Sequence, residues 1–380
     1  MKLWEGYLKR RKLEEKDYFE LSREYLNFRQ KRFLAFTFDQ VNEAISETLK
    51  SCKGTDFLIK IHAIHMNFLK RGGFNERIVA LCQALIEINI EKFNYGRVDL
   101  EAYEDQWDFG LMEHIGDDCG FDWCSALYPD EGFDNKKSLK NWIKLEKYRD
   151  LNFWHPKQSE NSFDLEGQVI FDDLKDFITI IEERSDILQF IKGIVVEVGN
   201  VFGVKNSANP LPNGFFDWYL KVLKTLLPFF KNDWEFVFNV LQLIHCRNPE
   251  EAETFSKALL SENRDSLELF LAYGRFQEFK GNSQMASKVY DSLRKRSPNY
   301  KNILSTPVTV EPENVSIKLE FSKENFKSEV YEIVRNNPGD KELYMMVIEE
   351  IEPFDEELAM EIFNLLDEQQ LRLRSFFEEL

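Results

Sequence analysis

The stretch Ser266–Pro298, SLELFLAYGRFQEFKGNSQMASKVYDSLRKRSP, restricts the possible folds more than any other part of the chain. Its spacing predicts two helices joined by a Gly-Asn-Ser turn. Leu267, Leu271, Phe276 and Phe279 recur at roughly helical intervals in the first run, and Ala286, Val289, Tyr290 and Leu293 form one stripe in the second. Gly281 can adopt the left-handed conformation that stops a helix, Asn282 or Ser283 can cap the next one, and Pro298 ends it. The small side chain of Ala286 lets the two helices approach closely. One such hairpin leaves its apolar faces uncovered, so the chain must supply neighbours of the same kind.

A neighbour of that kind lies at Leu58–Ile90, LIKIHAIHMNFLKRGGFNERIVALCQALIEINI. Sliding one stretch onto the other places Phe276 on Phe68, Gly281 on Gly73, Val289 on Leu81 and Leu293 on Leu85. The apolar stripe and the glycine turn recur while the exposed positions differ, the pattern of divergent repeats. The expected fold is therefore an all-α, right-handed superhelical solenoid of helical hairpins with one long irregular insertion. Its 34 Phe supply ample core material, and only 17 Gly and 11 Pro in 380 residues suit helices with short turns.

Boundaries follow from breaks in the helical period. Residues 1–93 read as N-terminal helical repeats, 94–137 as an irregular acidic and aromatic insertion, and 138–205 as a helical continuation. Residues 206–300 read as further repeats, 301–322 as an extended linker with two prolines in Thr306–Phe321, and 323–380 as an acidic helical cap. Trp4, Tyr7 and Leu8 form the inward side of an opening helix. Thr37 or Asp39 caps the helix carrying Val41, Ala44, Ile45 and Leu49, and Val169–Phe171 opens a helical run that reaches about Glu183.

Charge narrows the function classes. The net charge is −18, yet residues 1–80 hold 16 Lys and Arg against 11 Asp and Glu, so the acidity lies in the remainder. Such a chain is not built to coat nucleic acid, and direct RNA binding is confined to the basic first 80 residues. Five cysteines, an odd number, and the lack of an apolar signal core at Met1–Arg11 point to a reducing compartment. No apolar run is long enough to span a bilayer.

No catalytic constellation is found: there is no phosphate-binding Walker loop, no G-x-S-x-G and no H-E-x-x-H. His62 and His65 share one helix three residues apart but lack a third ligand nearby. Cys119, Cys124, His114, Asp117 and Asp118 gather in the insertion, but the C-x4-C spacing is at the edge of zinc practice and a fourth soft ligand is missing. Both groups read as structural residues, without metal or cofactor. The insertion carries Tyr95, Tyr103, Trp107, Phe109, Phe121, Trp123, Tyr128 and Phe133, too much apolar surface for a plain linker. The expectation is that Trp107 anchors it against the repeats while Glu104, Asp105 and Asp108 face outward as a rigid acidic edge for a basic protein partner. The alternative is a purely structural plug.

The hairpin at Ser266–Pro298 resembles a HAT (half-a-TPR) repeat, the unit of RNA-processing scaffolds. Three further blocks resemble the nuclear-RNAi-defective family, the necessary-for-RNA-interference or nuclear exosome regulator proteins. They are LWEGYL with FRQKRFLAFTFDQVNEAISETL, then FLKRGGFNERIVALCQALIEINI with EAYEDQWDFG, and KNWIKLEKYRDLNFW with VIFDDLKDFI. The family's landmarks fall on Glu104, Trp107, Asp108, Trp142 and Trp154. The resemblance implies a nuclear, non-enzymatic scaffold of small-RNA-directed silencing, heterochromatin and RNA surveillance. It further implies protein partners, including the DExH-box helicase of the nuclear exosome and splicing factors, with RNA contacted mainly indirectly. The polar N-terminal region that carries helicase binding in the family is expected to lie outside this chain. A general HAT scaffold of splicing or 3′-end processing would share the fold without the insertion.

Overall fold

The computed structural model describes residues 14–117, 138–156, 168–204, 211–296 and 326–374. Among them the chain is all-α, with three short 3-10 turns and no strand. The described residues divide into two compact units, one within 1–114, 120–215 and 315–380, the other within 115–119 and 216–314.

The second unit keeps the local logic of hairpin repeats. Helices α9 (Trp234–Arg247), α10 (Pro249–Glu262), α11 (Leu267–Phe279) and α12 (Ser283–Arg296) follow α8 (Phe215–Phe230), and α9 to α12 pack on near neighbours in sequence. Within the α11–α12 hairpin Gly281 sits at φ 78°, and Asn282, not Ser283, caps α12 by accepting from the Met285 N–H at 3.3 Å. Glycine at Gly274 also lets the pair approach, since a Cβ there would fall 2.5 Å from the Tyr290 ring. Glu253 of α10 ties the hairpin down, accepting from Gln277 at 3.1 Å and Lys280 at 2.6 Å.

The first unit departs from a simple array. Its helices are α1 (Glu15–Lys31), α2 (Phe38–Ser51), α3 (Thr55–Gly72), α4 (Asn75–Tyr95), α5 (Leu100–Asp108), α6 (Leu139–Asn152) and α7 (Arg184–Phe202). They are completed by α13 (Phe326–Asn336), α14 (Lys341–Ile351) and α15 (Glu356–Glu368). Thr37 caps α2 through the Gln40 N–H, and Gly73 at φ 87° ends α3. The hairpin α3–α4 does not stand alone. Helix α7, a hundred residues further on, packs along both members. It fits because Gly193 leaves a notch for Ile59: a Cβ there would lie 2.5 Å from the Ile59 Cδ1. The acidic tail does not trail off as the last repeat either, since α14 packs on α3 and α6.

Two expected elements are corrected. The stretch beginning at Asn94 is not irregular throughout: α4 runs to Tyr95, and Leu100–Asp108 is a helix capped by Asp99. The run from Val169 to Glu183 is not an α-helix. It makes 3-10 turns at Phe171–Asp173 and Lys175–Phe177 and then runs on to Glu183 without helix. Side chains from elsewhere take the backbone groups that a helix would have used. Asn89 accepts from the Ile181 N–H at 3.0 Å and donates to the Thr179 carbonyl at 2.8 Å, and Asp108 accepts from the Phe171 N–H. The expected helix at Trp4–Leu8, the residues Asp118, Cys119 and Cys124, and the linker at Thr306–Phe321 lie outside the described residues.

Candidate functional site

Helix α5 is a buttress with a buried face and an acidic face. Tyr103 and Trp107, four apart, are buried, and Trp107 is fully enclosed. The Trp107 Nε1–H donates to the Val169 carbonyl at 2.8 Å, and its ring lies against His114. Tyr103 donates to the Glu87 carboxylate at 2.6 Å, which also meets His114 Nδ1 at 2.9 Å, and burial together with that carboxylate raises the Tyr103 pKa. Trp107 therefore anchors this segment as expected. The acids divide: Asp105 is exposed and Glu104 half-exposed, but Asp108 turns inward and accepts from the Phe171 N–H at 2.7 Å. An outward Asp108 is thus corrected, because a buried backbone N–H left by the 3-10 turn needs an acceptor.

What α5 holds in place is one wall of an acidic cleft. Through Val169 and Phe171 it positions Asp172, Asp173 and Asp176 opposite helix α2. The cleft holds about 510 Å³ and is lined by Asp39, Asn42, Glu43, Ser46, Glu47 and Lys50 of α2, by Arg77 of α4, and by Asp172, Asp173, Asp176 and Phe177. Asp39, Glu43 and Glu47 recur every four residues and so share one face of α2. Of the six carboxylates, Asp176 is paired with Lys50 at 2.7 Å and Asp173 with Arg77 at 3.0 Å, and Asp172 with Lys175 just outside. Among the described residues the α2 stripe forms no ion pair. Lys175 is held above its ordinary pKa by its bond to Asp172, with Glu104 and Asp176 adding to the negative field.

Phe177 floors the cleft and stacks on His65 at 4.1 Å. The His65 Nε2 bonds Asn42 at 2.9 Å and the His62 Nε2 bonds Thr179 at 2.9 Å, so the two imidazoles brace the floor and the wall. Burial lowers the His62 pKa to about 3 and drives His65 down as well. Among the described residues no group of three or more His, Cys, Asp and Glu is placed to hold a metal, and no helix is long and apolar enough to cross a membrane.

The other landmark tryptophans are not part of this site. Trp142 is fully buried on α6 with its ring edge-on to Phe363, and Trp154 is fully buried beside Phe215 with its Nε1–H donating to the Asn213 carbonyl at 2.7 Å. Composition hid two groups. The Asp39–Glu43–Glu47 stripe was legible in its four-residue spacing. A buried ionic clasp was not. Lys341 donates to Glu146 at 2.6 Å and to Asp150, and Arg374 donates to Asp150 at 2.7 Å, to the Gly73 carbonyl at 3.1 Å and to Glu76. Burial works against Asp150 ionising, but Lys341 and Arg374 outweigh it and hold its pKa below the ordinary value. The clasp fixes the C-terminal residues to the turn between α3 and α4.

The family profile described as NRDE-2, necessary for RNA interference, matches residues 1–200. The chain belongs to the NRDE-2 family. Neither the curated proteins nor the solved structures gave a match. The matched region contains the whole NRDE-2 cleft lining and the α5 buttress, whereas Lys341 and Arg374 of the clasp lie beyond it. Membership assigns the chain to a family necessary for RNA interference.

Proposed function

We propose that this NRDE-2 family chain is a non-enzymatic nuclear scaffold of RNA interference and RNA surveillance that captures a Lys/Arg-rich segment of a protein partner in the acidic cleft. The observation that carries the reading is the Asp39–Glu43–Glu47 stripe, without an ion pair among the described residues, facing a second acidic wall. Carboxylates on two sides of an aromatic floor suit the charged head and apolar stem of Lys or Arg. The same field opposes RNA phosphate, so RNA is reached through the partner. An exosome-associated helicase and splicing factors are the partner classes that the family reading suggests.

The test uses a fluorescent Lys/Arg-rich 12-residue peptide, an acidic peptide of equal length, and a single-stranded RNA, each titrated against the full chain. The basic peptide is expected to bind with an affinity that falls as salt rises. Glu43→Lys/Glu47→Lys is expected to weaken it about tenfold, since each exposed pair is worth ~0.2–1 kcal/mol and reversal adds repulsion. Equal binding of the basic and acidic peptides, or RNA binding tighter than either, would overturn the reading. A tagged chain excluded from the nucleus would remove its nuclear part.

A further inference from the structure

A second surface stands out at the end of α5. Phe109 is 70 % exposed, Leu111 72 % and Ile170 42 %, three of the few large apolar side chains that the described residues leave in solvent. Their placement is fixed. The Gly110 N–H donates to the Trp107 carbonyl at 3.1 Å and the Leu111 N–H to the Gln106 carbonyl at 2.9 Å, with Gly110 at φ 60°. That is the two-bond Schellman ending of a helix. Asp108 and Trp107 bind the backbone on either side of Ile170, so the tip of α5 and Ile170 form one anchored corner.

In such an ending the residue after the left-handed glycine usually packs back on the last helical turn. Leu111 does not: its counterpart on that turn is Gln106, which is exposed and polar. Large apolar side chains exposed on an anchored backbone are a marker of an interaction surface. Rigidity also lowers the ordering cost of binding.

Charge identifies the occupant. Residues 98–114 carry no Lys or Arg, and apart from the inward Asp108 they set Asp99, Glu101, Glu104, Asp105 and Glu113 at or near the surface. Asp172, beside Ile170 in sequence, is exposed, and the nearby Lys175 is taken up by it. A second copy of this chain would set the same acidic rim against itself. We propose that the Phe109–Leu111–Ile170 corner docks a partner protein segment in which bulky apolar residues lie within a few positions of Lys or Arg. The apolar residues cover the corner and the cations meet the rim. This rests on the reading of the chain as a protein-binding scaffold but not on the Asp39–Glu43–Glu47 stripe of the cleft, which the corner does not share.

The experiment selects a displayed peptide library on the full chain, with counter-selection on Phe109→Ser/Leu111→Ser. Enriched peptides are expected to combine apolar and basic residues and to lose at least about tenfold in affinity to the double variant, in keeping with removal of two central apolar contacts. Glu43→Lys/Glu47→Lys is expected to bind them within about twofold of the parent chain, and this separates the two surfaces. Both substituted side chains are mostly exposed, so the double variant is expected to melt with the parent. Enrichment of the same peptides on parent and double variant would overturn the proposal. So would a large fall in melting temperature, which would show the corner to be covered by the chain itself. A photoreactive benzoyl-phenylalanine at position 109 is expected to cross-link to the selected peptide, and cross-linking to its own chain or to a second copy instead would also refute it.

Discussion

Lys341→Met tests the clasp most directly. Lys341 and Glu146 are almost wholly buried, and the lysine is the only side-chain cation bonded to Glu146 among the described residues. Methionine keeps most of the stem volume but leaves Glu146 with the Arg374 backbone N–H at 2.7 Å as its remaining donor. Asp150 keeps Arg374, so the loss concentrates on one uncompensated carboxylate. Removing one partner of a buried pair costs ~3–5 kcal/mol, because the other charge stays desolvated. For a unit of this size that corresponds to roughly 6–20 °C in melting temperature. The decisive comparison is Lys341→Met/Glu146→Gln, which removes the stranded charge while keeping an acceptor for the Arg374 N–H. If the cost comes from buried charge, the double variant is more stable than Lys341→Met alone. The assay is urea unfolding of the three proteins with matched m-values. A single-variant cost below about 1 kcal/mol, typical of solvated pairs, would refute the reasoning. So would a double variant less stable than the single one.

Two further outcomes are expected. Burial holds His62 at a pKa of about 3, with His65 also lowered, so the unfolded chain takes up protons that the folded chain refuses; stability is full above the ordinary histidine value and falls as pH drops from about 6.5 towards 3, by ~1.4 kcal/mol for His62 one unit below that value, with His65 acting in the same direction. Urea unfolding at pH 7.5 and 5.5 checks this, and equal stability at both would contradict it. Asp108→Ala is expected to cost ~1–3 kcal/mol by orphaning the Phe171 N–H, whereas Asp105→Ala stays within about 0.5 kcal/mol; thermal melts of the two variants separate the inward from the outward acid.

The class of structure was legible in residue spacing. Stripes such as Leu271, Phe276 and Ala286, Val289, Leu293 require a helix to hide them, and Gly73 and Gly281 mark turns that a left-handed residue must make. The anchoring of Trp107 was readable on the same ground, since an indole that large seldom stays in water. The helical hairpin at α11–α12 is a local object, and local periodicity is enough to define it.

What spacing could not disclose were pairings between distant parts of the chain. Val169–Glu183 has the apolar content of a helix, yet Asn89 and Asp108 take its backbone groups first. The cleft sets Asp172 and Asp176 opposite Glu43 and Glu47, with α5 bonded at Val169 and Phe171 and α2 bonded at Asp176, and no run of sequence contains both walls. The clasp joins Glu76, Glu146, Lys341 and Arg374, each of which looks like an ordinary surface charge in a chain with 67 acids. Helical propensity and apolar period act over a few residues, so the sequence alone determined the all-α class and its hairpins. Burial and charge pairing act through space, so only the tertiary structure decided which carboxylates are buried in the clasp and which line the cleft.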